Sequence, residues 1–428
     1  MSYFSAQWHG GVYVVPNVAD AVQSGDASHL KEHDVGEKFQ WPNAIEVVPW
    51  DVFGERAIHV PDGFLVPGKT NGGVYVLRMD AEDVTEVTEK VQISPSKDGF
   101  FYHMGFWVDM NGDGRKDFIT ARADAHEGDG ELVWFEHPEG GLDVSPWVEH
   151  VVTKGPDVGI EIDYFDNYPG EVVVFAAEFF NQKVSIHRVS LTDGSLVESR
   201  VVDDTTILDA YSIALVDLNQ DGQLELMVNN HETDDSTNGI WAYTVPADND
   251  LMNGEFTKMT IATDFQNVRS LFVPAMSPGF PYAIWPNGKH EGERAHIFVA
   301  GDGDYDAHIL YPEGDNATDF GYTDVIMCEA NGTVGALAFS DLDNDGWTEV
   351  WMPNYDKGYV ELYKISASTG EVQKNETTLA SGELDFELDL DLDLSDILDF
   401  ASSMGEYAED FAEGFMDAVE EHREEAFL

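Results

Sequence analysis

The sequence predicts an all-β repeat fold, a β-propeller of six to seven four-stranded blades with seven preferred. Three observations predict it: a nine-residue acidic pattern that occurs three times, short apolar segments on both sides of each copy, and degenerate copies of the same unit between them. The first full copy is Asp109-Met110-Asn111-Gly112-Asp113-Gly114-Arg115-Lys116-Asp117, and the others run from Asp217 to Glu225 and from Asp341 to Glu349. Flanking segments such as Phe106-Trp107-Val108, Leu226-Met227-Val228 and Val350-Trp351-Met352 are too short for helices and read as strands. The nine residues therefore form strand-to-strand turns.

Each turn presents oxygen side chains at positions one, three, five and nine with Gly at position six, the spacing with which the first part of an EF-hand-type loop offers ligands to calcium. The expected ligands are Asp109, Asn111, Asp113 and Asp117, then Asp217, Asn219, Asp221 and Glu225, then Asp341, Asp343, Asp345 and Glu349. Position seven (Arg115, Gln223, Trp347) is free to vary because a loop of this type binds there through its backbone carbonyl. Three carboxylates crowded into one turn repel each other unless a cation lies among them, so structural calcium at about three sites is the expectation.

Degenerate turns fill the gaps. Asp163 to Glu171 lies midway between the first two full copies, Met276-Ser277-Pro278-Gly279-Phe280-Pro281 near the midpoint of the next interval, and Pro49 to Arg56 one period upstream. Six strand-turn-strand units about 50 to 60 residues apart indicate a closed array. Within the second unit, strands are expected near 103–109, 116–122, 131–136 and 147–152, and in the fourth near 224–229, 239–244 and 256–262. Gly10 to Val15 echoes Gly72 to Leu77, so residues 8 to 40 are expected to give outer strands of a further blade. The alternating run Leu384 to Leu394 would supply its inner strand and close the ring without an exposed edge. The propeller is thus placed at 1–395, and an acidic amphipathic helix at 396–428, where Ile397, Leu398, Phe400, Ala401 and Met404 recur at helical spacing.

Composition agrees. The 428 residues include ten Trp, 25 Phe and 16 Tyr, enough for a large core, and 39 Gly with 17 Pro suit many turns. Eighty-two acidic residues against 22 basic ones give a formal net charge of −60, which repels nucleic acid and anionic lipid and attracts cations. One cysteine, Cys328, excludes an internal disulfide framework. No apolar stretch is long enough to span a bilayer and no basic leader is visible at Met1, so a soluble protein is expected, cytoplasmic by default and extracellular if its turns need abundant calcium.

These turns resemble those of the FG-GAP/VCBS repeat family, over about residues 40 to 380. The resemblance implies a propeller with structural calcium in the full Asp-x-Asn/Asp-x-Asp-Gly-x-x-Asp/Glu loops. Trp134-Phe135-Glu136, Asn230-His231-Glu232 and Trp147 to Val152 look like the propeller part of fungal aldos-2-ulose dehydratases.

In such a propeller the face opposite the calcium turns collects the starts of the first strands and the loops after the second strands. His103, Glu161, Glu178 and His231 fall there and could act as general acid, base or metal ligands, with zinc or magnesium as a second metal in the central channel. Tyr102, Lys69, Arg122, His126, Tyr211, Glu232 and Arg269 join them as ligand contacts. Two functions fit. One is a calcium-stabilised module binding a glycan, small polar molecule or protein through the funnel face; the other is a carbon–oxygen lyase of dehydratase type, or an isomerase, acting on a sugar-like substrate.

Overall fold

The structure is a computed structural model. It describes residues 2–3 and 11–380, except 25–29, 37, 41, 64–70, 125–128, 233–236, 268–275, 287, 315–319, 331, 355–358 and 367–371. Six four-stranded antiparallel sheets follow one another along the chain, each a meander in which sequence neighbours pair. Blade 1 holds β4 (Glu46–Val47), β5 (Ala57–Pro61), β6 (Val74–Met79) and β7 (Val87–Gln92). Blade 2 holds β8 (Phe100–Val108), β9 (Asp117–Asp124), β10 (Gly130–Glu136) and β11 (Val148–Lys154). Blade 3 is β12 (Gly159–Asp163), β13 (Glu171–Glu178), β14 (Lys183–Ser190) and β15 (Leu196–Asp203). Blade 4 is β16 (Ala210–Val216), β17 (Glu225–Asn230), β18 (Gly239–Thr244) and β19 (Thr257–Thr263). Blade 5 is β20 (Pro281–Ile284), β21 (His296–Ala300), β22 (Asp306–Pro312) and β23 (Tyr322–Glu329). Blade 6 is β24 (Ala338–Ser340), β25 (Trp347–Asn354), β26 (Tyr359–Ser366) and β27 (Val372–Ala380). The architecture is a six-bladed, all-β propeller with few helices, among them α1 (Val18–Ser24) and α2 (Trp50–Phe53).

Burial follows position within the blade. The second and third strands lie between neighbouring sheets, so both faces are covered and the sequence runs apolar without alternation, as in Val172 to Ala177, every residue of which is fully buried. Outermost strands keep one face in water: Val148 and Val151 on β11 are 61% and 52% exposed. The cores lie between successive blades. Val76 and Ile93 meet Tyr102, Phe118 and Trp147 between blades 1 and 2; Ile119 and Trp134 meet Ile160 and Val174 between blades 2 and 3. Phe175 and Ile186 meet Leu226 and Trp241 between blades 3 and 4, Met227 and Ile240 meet Ile297 and Val299 between blades 4 and 5, and Phe298 and Ile309 meet Val350 and Tyr363 between blades 5 and 6.

Two expectations are corrected, and two others fall outside the described residues. The preference for seven blades is not met among the described residues. Among the described residues the N-terminal strands β1 (Ser2–Tyr3), β2 (Gly11–Val14) and β3 (His33–Asp34) pair with one another, in a three-stranded sheet whose Val12 packs on Val60 and Leu77 of blade 1. The 384–394 segment expected to complete that sheet, and the helix expected over 396–428, lie outside the described residues. Finally, Met276 to Phe280 is not the first turn of blade 5 but the approach to β20, and the turn itself spans 285–295. There Trp285 Nε1 donates to the Glu293 carbonyl (3.1 Å), and the insertion, with no oxygen ligand pattern, hid the position of the turn.

Candidate functional site

The three acidic loops join the first to the second strand of blades 2, 4 and 6, as expected, and share one backbone conformation. Position six is left-handed in each, at Gly114 (φ +87°), Gly222 (+89°) and Gly346 (+86°), and so is position four, at Gly112, Gln220 and Asn344. No neighbouring atom crowds the three position-six glycines, so glycine is required there by dihedral angle and not by space. The first carboxylate gathers the turn around itself: Asp217 accepts the amides of Asp221 (3.1 Å) and Gly222 (2.9 Å), and Asp109 accepts those of Gly112, Asp113 and Gly114. The ninth residue closes the loop from the strand side, where Asp117 accepts the Met110 and His137 amides (both 2.8 Å) and Glu225 the Leu218 amide (3.0 Å).

The donor set is all oxygen, as calcium requires, and in the third loop the carboxylates of Asp341, Asp343 and Asp345 converge within 4.8 Å of one another, a separation one ion with bonds of about 2.4 Å can bridge. In the other two loops an asparagine replaces the middle acid, and its amide nitrogen donates to the fifth-position carboxylate: Asn111 to Asp113 (3.4 Å) and Asn219 to Asp221 (3.0 Å). Arg115 also bonds Asp113 and donates Nε to the His137 carbonyl. Burial, with added repulsion from the other loop acids, pushes Asp117 up to about 6 and Glu225 to about 7. The residues therefore fit a calcium ion, and burial first, with repulsion among the loop acids added to it, opposes charge on the ninth carboxylate.

On the opposite face the chain brings aromatic rings together near the axis. A bulge in β8 between Tyr102 and Gly105 carries His103 into a fully buried position, where it stacks on Phe280 (5.9 Å between centroids) and lies 5.7 Å from Tyr211. Tyr211 in turn stacks on His231 at 3.7 Å, and Val158, Phe179, Phe180 and Met276 complete the cluster. His231 Nε2 lies 2.9 Å from the Pro278 carbonyl and 3.8 Å from Asp302. Burial holds both imidazoles neutral, His103 at about 4 and His231 at about 3. The structure thus unites His103, His231 and Tyr211, through aromatic packing.

The remaining candidates are dispersed. Glu161 is half-buried on β12 and raised to about 7, chiefly by burial and then by Asp163 and Glu46. Glu178 is fully buried and engaged with Ser185, Lys183 (3.2 Å) and, through Ser185, His187 (2.7 Å from the serine hydroxyl). Arg122 is fully buried and forked between Glu131 and Glu149 at 2.6 to 3.1 Å, with its Nη1 on the Tyr102 hydroxyl at 3.2 Å. The Glu232 amide donates to Asn238 (2.9 Å), and Asn267 donates to the Glu232 carbonyl. Lys69, His126 and Arg269 lie outside the described residues. Among the described residues the grouping at 341–345 holds three mutually close His, Cys, Asp or Glu ligands, and it lies away from the axial cluster.

Two features escape a pattern search. A groove of about 540 Å³ opens between the β5–β6 and β7–β8 connections, lined by Asn71, Tyr75, Gln92, Ser96, Lys97 and Asp98. Strand direction places it on the face opposite the acidic loops, but its residues, divided between strands β6 and β7 and the neighbouring loops, carry no spacing signal. In blade 5, His308 lies between Asp304 and Asp324, with ring nitrogens 3.1 Å from each. The Asp-x-Asp-x-x-x-His order from 302 to 308 was visible, whereas Asp324 comes from the next strand.

No family model matches the chain, and no curated protein matches it in sequence. Solved structures do. A protein from Lactobacillus plantarum aligns over 87% of this chain and 92% of its own at 14% identity with a TM-score of 0.51. A provisionally assigned 6-phosphogluconolactonase of Bacteroides fragilis aligns over 82% and 87% at 13% identity (TM-score 0.49), and the Dos1 propeller over 87% and 76% at 10% identity (TM-score 0.42). Identities this low bear on fold alone. No helix among the described residues is long and apolar enough to cross a membrane.

The blade 5 triad generates a pH dependence. Burial alone would lower His308, but hydrogen bonds to Asp304 and Asp324 outweigh it and raise the imidazole to about 9. Because the folded value exceeds the unfolded one, the triad's stabilisation is fully present below pH about 6.5 and is lost as pH rises through 9. The melting-temperature deficit of His308→Gln relative to the parent should be largest near pH 6 and shrink by pH 10; a deficit that grows with pH would refute the assignment.

Proposed function

We propose that this propeller is a calcium-stabilised binding module that takes a glycan or a similar polyhydroxylated molecule on the face opposite its acidic turns. The observation that carries the reading is the groove between blades 1 and 2. Asn71, Gln92 and Ser96 can each donate and accept, Tyr75 offers a hydroxyl, and Lys97 and Asp98 bring both charges to the rim. Burial, with Asp62 adding to it, pushes Tyr75 up to about 12, so its hydroxyl stays a donor at neutral pH. Such a lining recognises hydroxyl groups by direction more than by apolar contact, and its volume matches a mono- or disaccharide-sized ligand. A protein partner on the same face is the variant of this reading that the groove favours less, since its lining is concave and polar.

The alternative, a dehydratase-type lyase, needs an acid, a base and an anion-stabilising cation around one carbon. Glu178 is engaged with Ser185 and Lys183, Arg122 with two carboxylates, and the paired histidines with Tyr211 and Phe280. Those commitments favour binding over chemistry.

Calcium is the second half of the proposal, supported by the FG-GAP/VCBS-like spacing and the oxygen-only loops. Metal held by the folded state alone stabilises by linkage, about 2.7 kcal/mol per site at a hundredfold excess over the dissociation constant. Chelation should therefore lower the melting temperature by several degrees, with recovery on adding calcium. An unchanged melting curve from a preparation free of bound calcium would overturn this half.

The groove is tested by titrating the full chain with a panel of neutral mono- and disaccharides followed by NMR saturation transfer. Gln92→Ala and Lys97→Ala, each removing one contact, should weaken any binding sugar about tenfold. Binding left unchanged in both variants, or no binding across the panel, would remove the groove as the site.

A further inference from the structure

The three acidic loops differ in what neutralises them: in blade 2 Arg115 reaches one acid, Asp113, from within the loop, and the remaining difference lies on the neighbouring strand. Opposite the ninth residue of the blade 4 loop, Glu225, stands Thr244, and opposite that of the blade 6 loop, Glu349, stands Lys364. In blade 2 the corresponding residue is Glu136, one beyond the Phe135–Phe118 pair, and it turns instead to His150 (2.8 Å). The same ladder position thus carries a neutral group, a base and an acid in the three blades.

Lys364 reaches into its loop. Its Nζ lies 3.2 Å from Asp343 Oδ2, 3.0 Å from Asp345 Oδ2 and 3.1 Å from Glu349 Oε1, so one ammonium touches three of the four acids that are the expected metal ligands. The lysine side chain is only 18% exposed, Asp343 7% and Glu349 fully buried, so solvent screens those two contacts little, whereas Asp345, 42% exposed, holds the solvent side of the contact. This loop is also the one in which Asp343 replaces the asparagine of the others, adding a carboxylate and removing the amide that donates to position five in blades 2 and 4. The extra negative charge and the extra positive charge occur together.

We infer that Lys364 is a tethered cation that stands in for the metal in the blade 6 loop. The calcium that the other two loops would take is there replaced, or strongly disfavoured, by an ammonium built into the chain. An ammonium and a divalent ion cannot share three oxygens at contact distance: at about 4 Å their repulsion is larger than the energy of an exposed ion pair. The blade 6 turn is then set by the chain's own charges whatever the calcium concentration, while the blade 2 and blade 4 turns respond to it. The inference rests on the proposal that loops of this pattern take calcium.

The test is calcium stoichiometry by equilibrium dialysis of the full chain and of Lys364→Met. Two ions in the parent and three in the variant are expected. Three ions in both, with affinities unchanged, would overturn the inference while leaving calcium binding intact. None in either would overturn both, and none in the parent with one in the variant would uphold the tethered cation and sink calcium at the other loops. A readout that needs no lysine variant uses Trp347 at position seven, beside this loop alone, as a sensitiser for terbium. Terbium emission from the parent should be unaltered by Trp347→Phe, and a loss of more than about half on that substitution would show metal in the blade 6 loop and contradict the assignment. If Lys364→Met does not fold, Lys364→Gln, which keeps a donor but removes the charge, serves for the dialysis.

Discussion

Like charge held at close range is the constraint on which the structure turns. A chain with a formal charge of −60 places groups of three and four acids in turns only nine residues long. Part of that charge is met within the chain, by backbone amides in all three loops, asparagine amides in two, and a guanidinium or an ammonium in two. The left-handed glycine at position six is what lets the backbone present its amides inward. Substituting it would strain the turn and would also withdraw donors from the first carboxylate.

Those turns matter because they fix the strands that build the inter-blade cores. Each loop leads directly into a second strand whose side chains fill the gap to a neighbouring blade, as Glu225 leads into Leu226 and Val228, packed against Phe175 and Ile186 of blade 3. A turn that opened under repulsion would loosen the register of a fully buried strand. The opposite face is organised by a different force. Near the axis, apolar and aromatic burial dominates: it keeps His103 and His231 neutral and gathers Phe179, Phe180 and Phe280 about Tyr211. A groove with polar lining lies away from this cluster, between blades 1 and 2.

Much of this was legible in the sequence, and the limits have physical reasons. The loops and the strands of blades 2 and 4 were readable to within about three residues because turn chemistry is local and the apolar runs are uninterrupted. Blade 5 was misread at its first turn because the 285–295 insertion has no metal pattern, while Pro278-Gly279 mimics a turn. The seven-blade expectation followed a true echo, Gly10 to Val15 with Gly72 to Leu77, yet among the described residues β2 sits in a three-stranded sheet. Distance to a strand end does not tell whether a side chain turns toward the axis, as His103 does, or pairs across the strands of its own blade, as Arg122 does with Glu131 and Glu149. Lys364 was invisible for a similar reason: its meaning depends on register with Glu349 across a ladder.

The most direct measurement is a crystal structure grown in millimolar calcium, with anomalous data collected at long wavelength. A peak coordinated by Asp217, Asn219, Asp221 and Glu225, at about 2.4 Å from their oxygens, is the predicted result. Clear density for that loop with no anomalous peak would contradict the claim that cations hold these turns.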